Sequence, residues 1–458
     1  MRRRGLRNGV FQVLLTALVA AIVVARFAMS LSAGSGQAQA LGTHARVTTT
    51  TTSRAWSKTL TKAGATAKRG HKGGGASTTS VPTTVAVTST TLPSSTTTSP
   101  PPPPPPPAPA PSPAPPAGNF IARSGTSLLL NGQPYKFAGF NIYDANSIWG
   151  MPTACGQNLG SLNSDPTGDG LDQNLSKMSV YGPLQVFRAW FFESLAVSNT
   201  GAITWTPFDN TLAVARNHGM HVVVTLDNQW SDCVHSGYKG LSWYQGGYKS
   251  LDGDGPLSYR DYVRAVVARY ANDPTIAMWQ FMNEAEAKSS QSGSCSESTA
   301  AIAMRSWADD IGSLVKSIDP NHLTNIGTIG SGQCGTSGNY KYLNASPFVD
   351  VCEYHDYSSS DALPTSLATD LASCGAAGLN KPLFVGESGI RPCDVGGTYT
   401  DRANAFASKF QAQFGAGVVG ELPWAWDGTQ SKLCDYTIGT IDAAGGVDPS
   451  VKLLAAAV

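Results

Sequence analysis

From about residue 118 onward, short apolar runs alternate with stretches of helical periodicity. Strand cores are predicted near 136–141, 184–190, 221–227, 276–282, 323–327, 349–355, 382–386 and 418–424. Between two of them, "SYRDYVRAVVARYANDP" sets Tyr259, Tyr262, Val263, Val266, Val267 and Tyr270 on one helical face, and Pro274 follows as a stop. "RSWADDIGSLVKSIDP" does the same with Trp307, Ile311, Leu314, Val315 and Ile318. Upstream, Asn131-Gly132 between the apolar runs of "SLLLNGQPYKFAGFN" predicts a β-hairpin. Eight strands alternating with helices predict an α/β fold, a (β/α)8 TIM barrel with an N-terminal β-hairpin. A doubly wound open sheet is the competing arrangement.

The pattern is absent before residue 118. Three arginines, the apolar run "VFQVLLTALVAAIVVA" and Ala38-Gln39-Ala40 make 1–40 an export signal, with a membrane anchor as the alternative. Residues 41–117 are a Ser/Thr/Pro-rich linker that cannot bury enough apolar surface to fold and is expected to be disordered. The catalytic or binding domain is therefore 118–458. A secreted protein is expected, or one anchored on the extracellular face.

Charge sharpens this division. Residues 1–117 carry 12 Lys/Arg and no acid, which leaves 20 basic against 31 acidic residues in the remainder. An acidic domain argues against a nucleic-acid partner. The basic tail offers a route to an anionic cell surface, although a solvated tail is the simpler reading. All eight cysteines lie beyond the tail, none in C-x-x-C spacing. In an exported chain that even count predicts four disulfides of undetermined pairing. "GSGQCG" has no helix clearly following it, and the Asp/Gly loops fail the EF-hand pattern, so neither a nucleotide nor a metal site is expected. A serine-hydrolase elbow is also missing.

Two carboxylates stand out. The run Ile276–Met282 leads directly into Asn283 and Glu284, and Leu383–Val385 leads through Gly386 into Glu387. On the strand count above, Glu284 follows strand four and Glu387 ends strand seven. Active sites of this fold sit at the C-terminal ends of the strands. Two carboxylates at one barrel mouth can cleave a glycosidic bond.

These motifs resemble glycoside hydrolase family 5. "WQFMNEAEAK" resembles its acid/base strand and "PLFVGESG" its nucleophile strand. "VFRAWFFES", "TLDNQWSD" and "EYHDY" resemble most the R-x-W-x-F, N-x-W and H-x-Y motifs of the endo-β-1,4-mannanase branch. Ala285 departs from the pattern, standing where proline usually follows Asn-Glu; a local loop change is expected, with the chemistry kept.

The resemblance implies a retaining β-glycanase with Glu387 as nucleophile and Glu284 as acid/base. It implies that Arg188 orients Glu387, that Asn283 donates to the sugar 2-hydroxyl, that His355 lines the subsite near Glu284, and that Tyr357 hydrogen-bonds Glu387. Trp424 is the expected floor beneath the cleaved sugar, with Trp426, Trp190, Trp230 and Trp243 as further aromatic candidates and Asn228 as a substrate contact. No cofactor is expected, and a monomer is. The partner is a β-linked polysaccharide or oligosaccharide, with β-1,4-mannan first and cellulose or another β-glucan as the alternative. From a different class, the chain could be a non-catalytic carbohydrate-binding or cell-wall-tethered protein, but loss of a catalytic Glu would be its signature and both are present.

Overall fold

A computed structural model of the protein describes residues 119–146, 170–179, 182, 184–198, 200–234, 237–251, 256–430, 432–441 and 446–457. The export signal, the linker and Cys155 lie outside the described residues. All the described residues fall in the unit Pro101–Val458.

The described chain begins with a three-stranded antiparallel sheet, β1 (Ile121–Ser124), β2 (Ser127–Leu130) and β3 (Gln133–Tyr135). Asn131 and Gly132 turn β2 into β3 with φ of 55° and 75°, the double positive φ that Asn-Gly tolerates and a tight hairpin demands. The expected hairpin is thus two strands of a three-stranded meander.

Eight parallel strands follow: β4 (Phe137–Asn141), β5 (Val186–Trp190), β6 (His221–Thr225), β7 (Ile276–Gln280), β8 (Leu323–Asn325), β9 (Cys352–Asp356), β10 (Leu383–Ser388) and β11 (Gly420–Pro423). Their order is β8-β7-β6-β5-β4-β11-β10-β9. The backbone N–H groups of Asp350 and Val351, just before β9, both donate to the Thr324 carbonyl of β8, at 2.9 and 3.1 Å. Those bonds bridge the two ends of the strand order, so the sheet is a (β/α)8 barrel and not a doubly wound sheet. Each strand overlaps its predicted core, because strands covered on both faces read as continuous apolar runs.

The helices are laid on by the periodicity read above. Tyr259–Tyr270 buries Tyr259, Tyr262, Val263, Val266, Val267 and Tyr270, and the Ser258 side chain caps its start by accepting from the Asp261 N–H. Its tyrosines also anchor strand ends: Tyr259 donates to the Phe281 carbonyl at 2.6 Å, and Tyr262 to that of Phe191. Glu297–Ile318 buries Trp307, Ile311, Leu314 and Val315, with Ile318 partly covered. Among the described residues, no helix is long and apolar enough to cross a membrane.

Seven of the eight cysteines are described, and all seven are disulfide-bonded. Cys295–Cys334, Cys352–Cys374 and Cys393–Cys434 are closed pairs. Cys295–Cys334 joins the loops after β7 and β8, and Cys393–Cys434 joins those after β10 and β12 (Trp426–Gln430). Three bridges agree with the sequence expectation. Cys233 is disulfide-bonded as well.

Candidate active site

The barrel interior changes chemistry along its axis. Its lower part is apolar, with Phe137, Val186, Val223, Met278, Leu323, Val351 and Phe384 in one buried cluster. Two residues further along their strands stand buried polar side chains: Arg188 on β5, Gln280 on β7, Asn325 on β8 and Glu353 on β9, joined by Asn141 at the end of β4. The step of two keeps each on the inward face.

Arg188 is the hub. Its guanidinium is fully buried and donates from Nη1 to Glu387 Oε1 at 2.7 Å and to Asn141 Oδ1 at 2.8 Å. Nη2 donates to Asn283 Oδ1 at 2.6 Å, and Nε to Gln280 Oε1 at 2.7 Å. Asn141 in turn donates to the carbonyls of Gly386 and Leu422, at 2.9 and 2.8 Å, and so fixes the ends of β10 and β11.

Glu387 lies within β10, one residue before its end. Simple alternation from inward-facing Phe384 would point Glu387 outward. The register against β9 shifts between Val385 and Glu387, a bulge at Gly386 that turns the carboxylate into the barrel. Its Oε2 accepts from the Tyr357 hydroxyl at 2.7 Å. Burial raises the Glu387 carboxyl above its ordinary range. The charges of His355 and Arg188 oppose the rise, while Glu284 adds to it.

Glu284 follows β7 with φ of 58°, a left-handed conformation that an L-residue takes at a cost of roughly 1–2 kcal/mol. Its Oε2 accepts from the Trp230 indole N–H at 2.6 Å, and its Oε1 is 2.9 Å from His355 Nδ1. Burial pushes its carboxyl up, but His355, Trp230 and Arg188 outweigh that and hold it below the ordinary range. At Ala285, where a loop change is expected, the backbone N–H donates to the Gly327 carbonyl at 3.0 Å, a bond that proline could not make.

An oxygen of Glu284, an oxygen of Glu387 and a nitrogen of His355 all lie within 4.8 Å of one another. That spacing could also hold a cation. However, a protonated histidine and the Arg188 guanidinium already supply positive charge there, which suits protons rather than a metal ion.

Asn283 and Asn228 pack as a pair. Asn283 Nδ2 donates to Asn228 Oδ1 at 2.9 Å, and Asn228 donates to the Asp232 carbonyl at 2.9 Å. Asn228, expected as a substrate contact, thus braces Asn283 through its side-chain oxygen. The aromatic candidates divide. Trp424, half-buried after β11, stacks on Tyr143 with centroids 5.0 Å apart, and Trp190 packs against both rings. Trp426 is fully buried, donates to Asn174 Oδ1 at 3.0 Å and packs on Phe140, so it presents no face to a sugar. Trp243 sits in a core cluster with Tyr244, Tyr259 and Trp307. Asn141, Tyr143, Gln280 and Glu353 belong to the site but were not singled out from the sequence, Gln280 and Glu353 although they stand within the quoted motifs. For Asn141, Gln280 and Glu353 the hint was polarity inside otherwise apolar strands; Tyr143, in the turn after β4, gave none.

Behind β10, on the outer side of the barrel, Glu421 of β11 is fully buried with the Ser388 hydroxyl beside it, and neither carboxylate oxygen makes a well-formed hydrogen bond. Burial first, then the charge of Asp356, push its carboxyl well above the ordinary range against the pull of Lys409. The native state then keeps a proton that the unfolded chain releases above about pH 4.3. Stability must fall as pH rises from that value. Glu421→Gln keeps the shape without the ionisation. It should match the parent in Tm near pH 4 and exceed it at pH 7–8. A Tm lowered equally at every pH would refute a proton-carrying Glu421.

No family model matches the chain. Among curated proteins it is 27% identical over 314 residues to a probable mannan endo-1,4-beta-mannosidase A-1 of Aspergillus terreus, covering 60% of this chain and 72% of that protein. It is 27% identical over 341 residues to mannan endo-1,4-beta-mannosidase A of Podospora anserina, covering 66% and 81%. Among solved structures, the endo-1,4-beta-mannanase of Rhizomucor miehei matches with a TM-score of 0.56 at 20% identity, over 74% of this chain and 99% of that one. The hyperthermostable endo-1,4-beta-D-mannanase of Thermotoga petrophila matches at 0.51 and 18%, over 70% and 99%. The solved structures carry the fold and the curated relatives the likeness in sequence: the proteins matched in both comparisons are named as endo-β-1,4-mannanases, the branch of glycoside hydrolase family 5 that the sequence motifs resemble.

Proposed function

We propose that the chain is a secreted, retaining endo-β-1,4-mannanase whose activity resides in 118–458. The observation that carries the mechanism is the approach of Glu284 and Glu387, with oxygens within 4.8 Å at the barrel mouth. Double displacement uses carboxyls about 5–5.5 Å apart, whereas inversion needs roughly 6.5–9.5 Å to admit a water between them. Glu387, held by Arg188 and Tyr357, attacks the anomeric carbon and forms a glycosyl-enzyme. Glu284, whose carboxyl is held low in the free protein, must carry the proton in the reacting complex, where it protonates the leaving oxygen and then takes a proton from the incoming water. Asn283 has one amide N–H on Asn228 and a second for the sugar 2-hydroxyl. Trp424, backed by Tyr143, offers a flat apolar face to the sugar ring. The substrate follows from the relatives' names, and the disulfides favour an extracellular setting.

A hydrolysis panel tests this reading. Mannan and glucomannan should be cut to short oligosaccharides, with cellulose, xylan and mixed-linkage glucan at least ~10-fold slower in kcat/KM. Early product read by proton NMR should be the β-anomer. Preference for cellulose would move the protein to the β-glucanase reading, and initial α-anomer would reject retention.

A further inference from the structure

We propose that Glu353 is a positioning residue of this site, fixing His355 from below so that the imidazole Nδ1 faces both Glu284 and Glu387. The proposal rests on the reading of those two as the reacting pair. His355 Nε2 is 3.1 Å from Glu353 Oε1, while Nδ1 is 2.9 Å from Glu284 Oε1 and 3.5 Å from Glu387 Oε2. Both ring nitrogens face carboxyl groups. While Glu284 and Glu353 are ionised and accept only, the ring satisfies both sides only as an imidazolium, with a donor at each nitrogen.

Glu353 is itself held in place. Its Oε2 accepts from Gln280 Nε2 at 2.6 Å, and the same Gln280 accepts from Arg188 Nε. One buried chain of hydrogen bonds therefore runs from Arg188, beside Glu387, through Gln280 and Glu353 to His355, beside Glu284. The neighbouring strand makes room for it. A Cβ at position 386 would lie 1.7 Å from Glu353 Oε1, so the Glu353 carboxylate fits only because the bulged residue before the nucleophile is glycine.

The charged and titratable groups facing His355 are Glu284 beyond β7, Glu387 on β10 and Glu353 on its own strand. Arg188 of β5 and the Tyr357 hydroxyl reach it through Glu387. Burial alone would strip the proton from His355, but the charges of Glu387, Glu284 and Glu353 push its pKa up to about 10. The imidazolium in turn lowers the Glu284 carboxyl and opposes the rise at Glu387. Removing the Glu353 charge loosens the His355 proton, and where the ring loses it both catalytic carboxyls lose the imidazolium that holds them down and shift upward together.

The test joins a pH profile to a spectroscopic signature. In the parent, nitrogen-15 NMR should find both His355 ring nitrogens protonated at pH 8. In Glu353→Gln, the ring should titrate at lower pH, and both limbs of the kcat/KM profile should move up by about one pH unit. At the parent's optimum, kcat should fall about 10-fold while KM stays within about twofold. Glu353→Asp keeps the charge, so it should lose kcat with its limbs near the parent's. A singly protonated ring in the parent at pH 8, unmoved limbs in Glu353→Gln, or equal limb shifts in the Gln and Asp variants would each overturn the proposal. The NMR readout needs no turnover. Full activity in Glu284→Gln or Glu387→Gln would instead sink the assignment of the pair, so the two failures are distinct.

Discussion

Glu387→Gln should abolish turnover on polysaccharide and on aryl glycosides alike, with kcat falling on the order of 10⁴-fold or more, the scale of losing a covalent nucleophile. Glu284→Gln should divide the substrates. Loss of general acid catalysis is worth roughly 10²–10⁴, and it falls on leaving groups that need a proton. Mannan should therefore lose nearly all of its rate, while a dinitrophenyl glycoside should form the glycosyl-enzyme at close to the parental rate and stall at its hydrolysis. Truncation to Ala and added azide then separate the roles by stereochemistry. In Glu284→Ala, azide enters where the base would have activated water and attacks the glycosyl-enzyme, giving a β-glycosyl azide. In Glu387→Ala, azide replaces the nucleophile itself and gives the α-azide. Interchanged products would reverse the two assignments, and unimpaired hydrolysis of mannan by either Gln variant would reject the pair.

The parts that could be read from the sequence share a physical reason. A parallel barrel strand is covered on both faces, so Ile276–Met282 and Leu383–Val385 appear as unbroken apolar runs. The carboxylates at their ends stand out because a buried run seldom leads directly into an acid. The helix Tyr259–Tyr270 was equally plain, since its six buried residues recur at helical spacing. What stayed hidden depends on register or on contacts distant in sequence. The inward aim of Glu387 comes from the bulge at Gly386, and a period of two applied to "LFVGES" gives the opposite face. Glu353 and Gln280 look like ordinary strand residues until the closed barrel brings them within 2.6 Å across 73 positions. Trp424 and Trp426 are two residues apart and cannot be ranked from composition. Trp424 lies beyond the end of β11 against Tyr143, whereas Trp426 begins β12 and turns to Asn174 in the core. Disulfide pairing has no local signal at all, because it is set by which loops the barrel juxtaposes.

Arg188 should be the residue outside the catalytic pair whose loss costs most. Its guanidinium and the Glu387 carboxylate are almost wholly inaccessible, and they meet at 2.7 Å. Removing one partner of such a pair leaves a charge stranded in the interior, which typically destabilises by about 3–5 kcal/mol. Arg188→Ala should therefore lower stability on that scale. The loss should shrink in an Arg188→Ala/Glu387→Gln double variant, where no charge is stranded. Arg188→Lys isolates geometry from charge. Four separate acceptors, on Glu387, Asn141, Asn283 and Gln280, are met from three nitrogens of one rigid plane. A lysine ammonium is a point with three donors and cannot reproduce that fork. With the charge present but Glu387 and Asn283 no longer held in common, kcat should fall roughly 10²-fold, as a displacement of about 1 Å at the reacting centre does. The acid limb gives the sign of the electrostatic part. Arg188 pulls the Glu387 carboxyl down, so in Arg188→Ala the nucleophile keeps its proton to higher pH and the acid limb of kcat/KM should move upward. In Arg188→Lys the limb should move less. If Arg188→Lys matched the parent in kcat, the multiple bonds of the guanidinium would be packing alone and the positioning of Glu387 would have to come from Tyr357.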